Sequence, residues 1–138
     1  MKTENRQPTT EIREPKSDFR ILGDCRKLFF MILKITKNNP QYDFSLNNQI
    51  LRATISVGSN IAEGNDKKDK EYRRYLNIAK GSISEVEFQL SLYEVDKTLY
   101  SEILDLLDKI KAMMYKLGFR NSEFQSSVIG RSDIGVRK

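Results

Sequence analysis

Apolar side chains recur at steps of three and four residues along four stretches of the chain, with polar residues filling the positions between them. That spacing gathers the apolar residues on one face of an α-helix. The first stretch runs from about Asp18 to Asn38 and carries Leu22, Cys25, Phe29, Ile32 and Ile35 on its stripe. Asp18 is placed to cap its start. Asn38, Asn39 and Pro40 end it, because the residue before a proline avoids helical backbone angles. The second runs from about Ser45 to Glu63, with Leu46, Ile50, Ala53, Val57 and Ile61 as its stripe. Ser45 is the expected N-cap, and Gly64 with Asn65 is the expected stop signal.

The third stretch is the longest, from about Lys68 to Asp96. Its stripe holds from Tyr72 through Tyr75, Leu76, Ala79, Ile83, Val86 and Leu90 to Tyr93. A helix of that length reaches roughly 40 Å. Asp66 and Asp69 sit near its start, where negative charge suits the helix dipole. The fourth runs from about Leu99 to Leu117, with Ile103, Leu106, Leu107, Ile110, Met113, Met114 and Leu117 as its apolar face. Thr98 or Ser101 is expected to cap it, and Gly118 stands where a C-terminal glycine belongs. No strand pattern of period two competes. The links left over are short: Asn39 to Phe44, Asn65 to Lys67, and Lys97 to Thr98. Short links make neighbouring helices antiparallel. The expected fold is therefore all-α, an up-down-up-down four-helix bundle over residues 18–120. Residues 1–17, with Pro8 and Pro15, read as a flexible arm, and residues 121–138, rich in serine and glycine, as a second loose tail.

Two glycines interrupt these helices. A glycine inside a helix costs about 1 kcal/mol relative to alanine. At Gly58 either the helix bends or another backbone comes close. Ala79, Gly81 and Ser82 form a patch of small residues that lets a second helix approach, inside one bundle or between subunits.

Composition narrows the chemistry. The 138 residues contain one cysteine and no histidine. Ser-His and Cys-His nucleophile pairs and histidine metal sites are thereby excluded. Cys25 lies in an apolar stretch, where a small buried hydrophobe is a better expectation than a reactive thiol. No phosphate-binding glycine loop or nucleophile elbow occurs. We expect no enzymatic activity, no cofactor and no metal. No secretory leader or membrane-crossing stretch is evident, so a cytoplasmic location is expected. Charged residues near the stripes have a structural use: Arg52 is expected to pair with Glu85 or Glu63 and so fix which helices face each other.

The net charge is +5, and most of it is local. Lys67, Lys68, Lys70, Arg73, Arg74 and Lys80 place six cations within fourteen residues, offset by Asp69 and Glu71 to leave +4. Localised positive charge suits a phosphate backbone. Tyr72 and Tyr75 interleave with it and can stack on bases, although both also fit the apolar stripe, which is the expected role.

The segment Ser59-Asn60-Ile61-Ala62-Glu63-Gly64 resembles the signature of the 23S rRNA intervening-sequence protein family, also called four-helix bundle proteins. Arg52, Ala53 and Ser56 precede it at the family spacing. A basic stretch follows, then Tyr72, Leu76, Ala79, Gly81, Ser82, Glu85 and Glu87 at matching positions. The resemblance spans about Phe19 to Phe119. Gly58 departs from it, since many members carry proline before the signature serine. The resemblance implies a four-helix bundle in a ring-shaped homopentamer, with no assigned enzymatic activity. Some members are encoded inside insertions of ribosomal RNA genes. Others are similar to the accessory protein of diversity-generating retroelements, a basic pentamer that binds a reverse transcriptase and nucleic acid. The resulting expectation is a homo-oligomer, of five copies by resemblance, that binds RNA or DNA through Lys67, Lys68, Lys70, Arg73, Arg74 and Lys80. Arg52, Ser59, Asn60, Glu63, Gly64, Gly81, Ser82 and Glu85 would shape the bundle. A protein-binding adaptor, for a polymerase or another partner, is the alternative.

Overall fold

Residues 20–119 are described by the computed structural model, and four α-helices account for most of them: α1 Ile21–Lys37, α2 Asn48–Gly64, α3 Asp69–Leu90 and α4 Lys97–Phe119. No strand occurs among the described residues. Asp18, the arm over 1–17 and the tail over 121–138 lie outside them. The four apolar faces meet in one core. Leu28 and Ile32 of α1, Ile50 and Val57 of α2, Leu76 and Ile83 of α3, and Ile103, Leu107 and Ile110 of α4 are all buried in it. Each such side chain contributes about 1.5–3 kcal/mol when removed from water, which makes this shared core the main source of stability.

Contacts along the helices fix their register. Ser56 Oγ and Ser82 Oγ share a hydrogen bond of 2.7 Å between α2 and α3. Further along the same pair, Gly64 lies against Tyr75. The two helices therefore run in opposite directions. Cys25 of α1 meets Gly58 of α2, Tyr72 of α3 donates to the Leu117 carbonyl of α4 at 3.2 Å, and Lys109 of α4 reaches Asp24 of α1 at 3.5 Å. The start of α1, the end of α2, the start of α3 and the end of α4 thus share one end of the molecule.

Several sequence expectations are corrected. On α1 the buried stripe is Ile21, Cys25, Leu28, Ile32 and Ile35, with Leu22 and Phe29 only half-buried. The helix is rotated from the expected face, because Leu28 offered an equally good three-and-four spacing. Ser45 does not cap α2. It is exposed within a π-helical turn, Asp43–Asn47, which follows a 3-10 turn at Pro40–Tyr42, and α2 begins only at Asn48. α2 does end at Gly64 with Asn65 as its C-cap, as expected, although that cap is right-handed helical and not the left-handed kind. Gly118 lies inside α4 rather than past its end.

The largest difference is at α3. It stops at Leu90, so it spans 22 residues rather than continuing to Asp96. The connection to α4 is correspondingly longer, residues 91–96, and Lys97 already belongs to α4. Tyr93 keeps the periodicity of the stripe and is buried, yet it sits in this turn and not on the helix. Its hydroxyl donates to Asn47 Oδ1, and its ring meets Tyr42 edge to face at 5.5 Å. Asn47 in turn donates to the carbonyls of Thr36 and Asn39 at 3.3 and 2.9 Å. One buried amide so joins three segments, and burial without those partners would be costly. The cap of α4 is Asp96, whose Oδ2 accepts from the Leu99 amide at 3.1 Å, in place of Thr98 or Ser101.

Candidate nucleic-acid interface

The basic residues follow from where α3 begins. Lys68 is the extended residue that leads into the helix, and Asp69 turns the chain with φ of 52°, a left-handed angle that aspartate tolerates better than most residues. Lys68, Lys70, Arg74 and Lys80 are exposed, whereas Lys67 and Arg73 are half-buried. Lys70, Arg73 and Arg74 line one shallow surface with Glu71, Asn77 and Ile78. Lys67 is 3.8 Å from Glu63, and the Arg74 guanidinium lies 4.8 Å from the centre of the Tyr75 ring. Lys80 stands apart from that surface, beyond its last residue Ile78.

The tyrosines are committed to the fold. Tyr72 bonds to α4 through its hydroxyl, and Tyr75 packs against Gly64 so closely that a Cβ on Gly64 would lie 2.9 Å from the Tyr75 Cβ. Gly64 of the signature is therefore required by contact. Asn60 donates to the Ser56 carbonyl and hydroxyl at 2.8 and 3.1 Å, and Ile61 is a core residue. Ser82 is buried against Ser56. In contrast Ser59, Ala62, Glu63, Gly81 and Glu85 are exposed. A Cβ added at Gly81 would meet nothing within 4 Å, so packing among the described residues does not explain that glycine. The expected pairing of Arg52 with Glu85 or Glu63 is not present: Arg52 is exposed, Glu63 takes Lys67, and no ion pair among the described residues includes Arg52 or Glu85.

The fold brings together cations that are far apart in the chain. Arg20, Lys109 and Lys116 line a groove of about 640 Å³ between α1 and α4, with Asp24 bridged to Lys109 inside it. Counted over residues 20–28, 57–79 and 109–118, this end of the molecule has eleven basic and five acidic side chains. The opposite end, residues 29–56 and 80–108, has five and eight. The positive field thus belongs to a whole end and extends beyond the one helix that the charge run indicates. Arg20, Lys109 and Lys116 have no local motif. Antiparallel pairing of the helices was the signal that would have placed them beside Lys68 and Lys70.

The remaining chemistry is quiet. Burial pushes the Cys25 thiol up to about 12, with a smaller push from the Asp24 carboxylate, so it is neutral and unreactive at ordinary pH. The expectation of a buried structural cysteine holds. Among the described residues no cluster of three or more metal-binding side chains occurs. No described helix is long and apolar enough to cross a membrane.

A family model described as 23S rRNA-intervening sequence protein matches residues 17–116. No curated protein matches the chain. Among solved structures, a protein of unknown function from the S23 ribosomal protein family of Bacteroides thetaiotaomicron is similar in fold, with a TM-score of 0.63 and 23% identity over 72% of this chain and 96% of that one.

Proposed function

The chain belongs to the 23S rRNA-intervening sequence protein family, and from that premise we propose that it is a non-enzymatic, self-assembling bundle whose basic end holds the phosphate backbone of RNA or DNA. The observation that carries this reading is the segregation of charge along the molecule, eleven cations against five anions at one end and five against eight at the other. Lys68, Lys70 and Arg74 supply exposed phosphate contacts, Lys67 and Arg73 add to the field, and Lys80 continues the run on α3 just beyond this end. The four helices run up-down-up-down, and copies close into a ring, of five subunits by family resemblance. A ring repeats the basic end, so that individually weak contacts act together. With Tyr72 and Tyr75 held in packing, contact is to backbone rather than to stacked bases, and sequence preference is weak. The protein acts in the cytoplasm without cofactor or metal.

The test is a titration of structured RNA over a range of salt. Binding should weaken with log-log slope of about 0.7–0.9 per phosphate contacted. Absence of binding at low salt, with helical circular dichroism intact, overturns the proposal. A second reading, a protein-binding adaptor, is favoured by Phe44, which is 95% exposed at the opposite end. Partner capture that survives nuclease and is lost in Phe44→Ser would support it, a reverse transcriptase being one such partner by resemblance.

A further inference from the structure

Two different faces of the molecule carry apolar side chains that are exposed among the described residues. The first is a groove of about 480 Å³ between α1 and α2, walled by Phe29, Phe30, Ile55 and Ala62 among others. Phe30 and Ile55 are more than half exposed there, at 56% and 52%. The second is a ridge along α3. Ile78, Gly81, Glu85 and Phe88 succeed one another at three- and four-residue steps and so share one helix face, with Phe88 64% exposed. Gly81 interrupts this ridge with open space above it. A helical glycine sacrifices about 1 kcal/mol of propensity, and no contact among the described residues explains it.

Charge distinguishes the two faces. Arg52 precedes Ile55 by three residues, next to the groove, while Glu85 lies within the ridge; both are exposed, and neither has an ion-pair partner among the described residues. The groove opens between α1 and α2, and the ridge runs along α3 from Ile78 to Phe88; the Ser56–Ser82 hydrogen bond between the antiparallel α2 and α3 sets Arg52 and Glu85 at about the same level along the molecule. The faces are unlike in shape, and the charged residues Arg52 and Glu85 that accompany them are opposite in sign, which suits a contact of one face on the other.

We infer that the α3 ridge of one copy seats in the α1/α2 groove of a second copy, with Phe88 against the groove wall and Glu85 facing Arg52 of the partner subunit. Gly81 then permits the close approach of the two backbones. Repeated in one direction from copy to copy, a contact between two different surfaces generates a closed ring or an open fibre. This inference rests on the self-assembly in the proposed function and identifies its surfaces.

The experiment is mass by sedimentation or light scattering on the full chain at micromolar concentration, for wild type and five variants. Wild type should weigh a multiple of the 16.1 kDa chain. Phe88→Asp and Ile55→Asp should give monomers with unchanged helical circular dichroism. Arg52→Glu and Glu85→Arg should each raise the concentration at half-dissociation by about tenfold or more, and the double exchange should restore it. Rescue by the double exchange cannot arise from misfolding. An oligomeric wild type whose mass is untouched by all five variants overturns this interface and leaves self-assembly standing. A monomeric wild type overturns self-assembly itself.

Discussion

At the scale of single residues, the most constrained position is Gly64. Any side chain there meets the Tyr75 Cβ at 2.9 Å, and both belong to packed helices, so neither yields easily. Gly64→Ala should cost about 1–3 kcal/mol despite its gain in helix propensity. A lower melting temperature with unchanged helix content would show this; an equal or higher one would contradict it. The signature glycine was legible in the sequence, but its reason was not. A helix stop was the natural reading of Gly64-Asn65, and only the path of α3 reveals the contact. Asn47 and Tyr93 were still less legible, since a mid-turn asparagine has no pattern. Tyr93→Phe leaves Asn47 Oδ1 buried without its donor and should cost about 1–3 kcal/mol. Thermal melts of the two proteins measure this directly.

Cys25 and Tyr93 also give the fold a pH dependence. Burial is the main cause that raises both groups to about 12, from 9.0 and 10.0, with smaller contributions from Asp24 and Tyr42 respectively. Each stays neutral in the folded chain at pH values where the unfolded chain releases its proton. The stability they contribute is complete below pH 9 and is lost as pH rises toward 12. Denaturant midpoints should therefore fall steadily above pH 9. The fall should be smaller in Cys25→Ala.

At the scale of elements, periodicity located all four helices, because each must bury one face. It failed at ends. Tyr93 continued the stripe of α3 by chance of spacing, although the backbone had already turned at Ser91. Ser45 was a good cap in isolation but lost to the π-helical turn that brings Asn47 inward. Asp96 is the cap that starts α4. Asp96→Ala should lower stability by about 1 kcal/mol, whereas Thr98→Ala and Ser101→Ala should be near neutral. Melting temperatures that ranked Thr98 or Ser101 above Asp96 would contradict the assignment. The salt bridge from Lys111 to Glu87, 2.8 Å long and joining α4 to α3, is half-exposed and contributes at most about 1 kcal/mol. Packing between faces, rather than such pairs, holds the helices in register.

At the scale of the whole molecule, the charge run on α3 was visible in the chain, but its extension through Arg20, Lys109 and Lys116 was not, because those residues come together only when the helices are antiparallel. The failed pairing of Arg52 with Glu85 belongs here too. Both residues lie beside exposed apolar faces, where the proposed contact between copies would pair them. Localised charge and exposed apolar faces are the two features on which the proposed polyanion binding and self-assembly rest. The most direct test compares two variants of equal net charge, Lys68→Glu/Lys70→Glu at the basic end and Lys34→Glu/Lys97→Glu at the other, in titrations of structured RNA at several salt concentrations. The account predicts that the first loses about tenfold or more in affinity with a shallower salt slope, while the second stays near wild type. Equal losses in both, or no binding by the wild type, would contradict it.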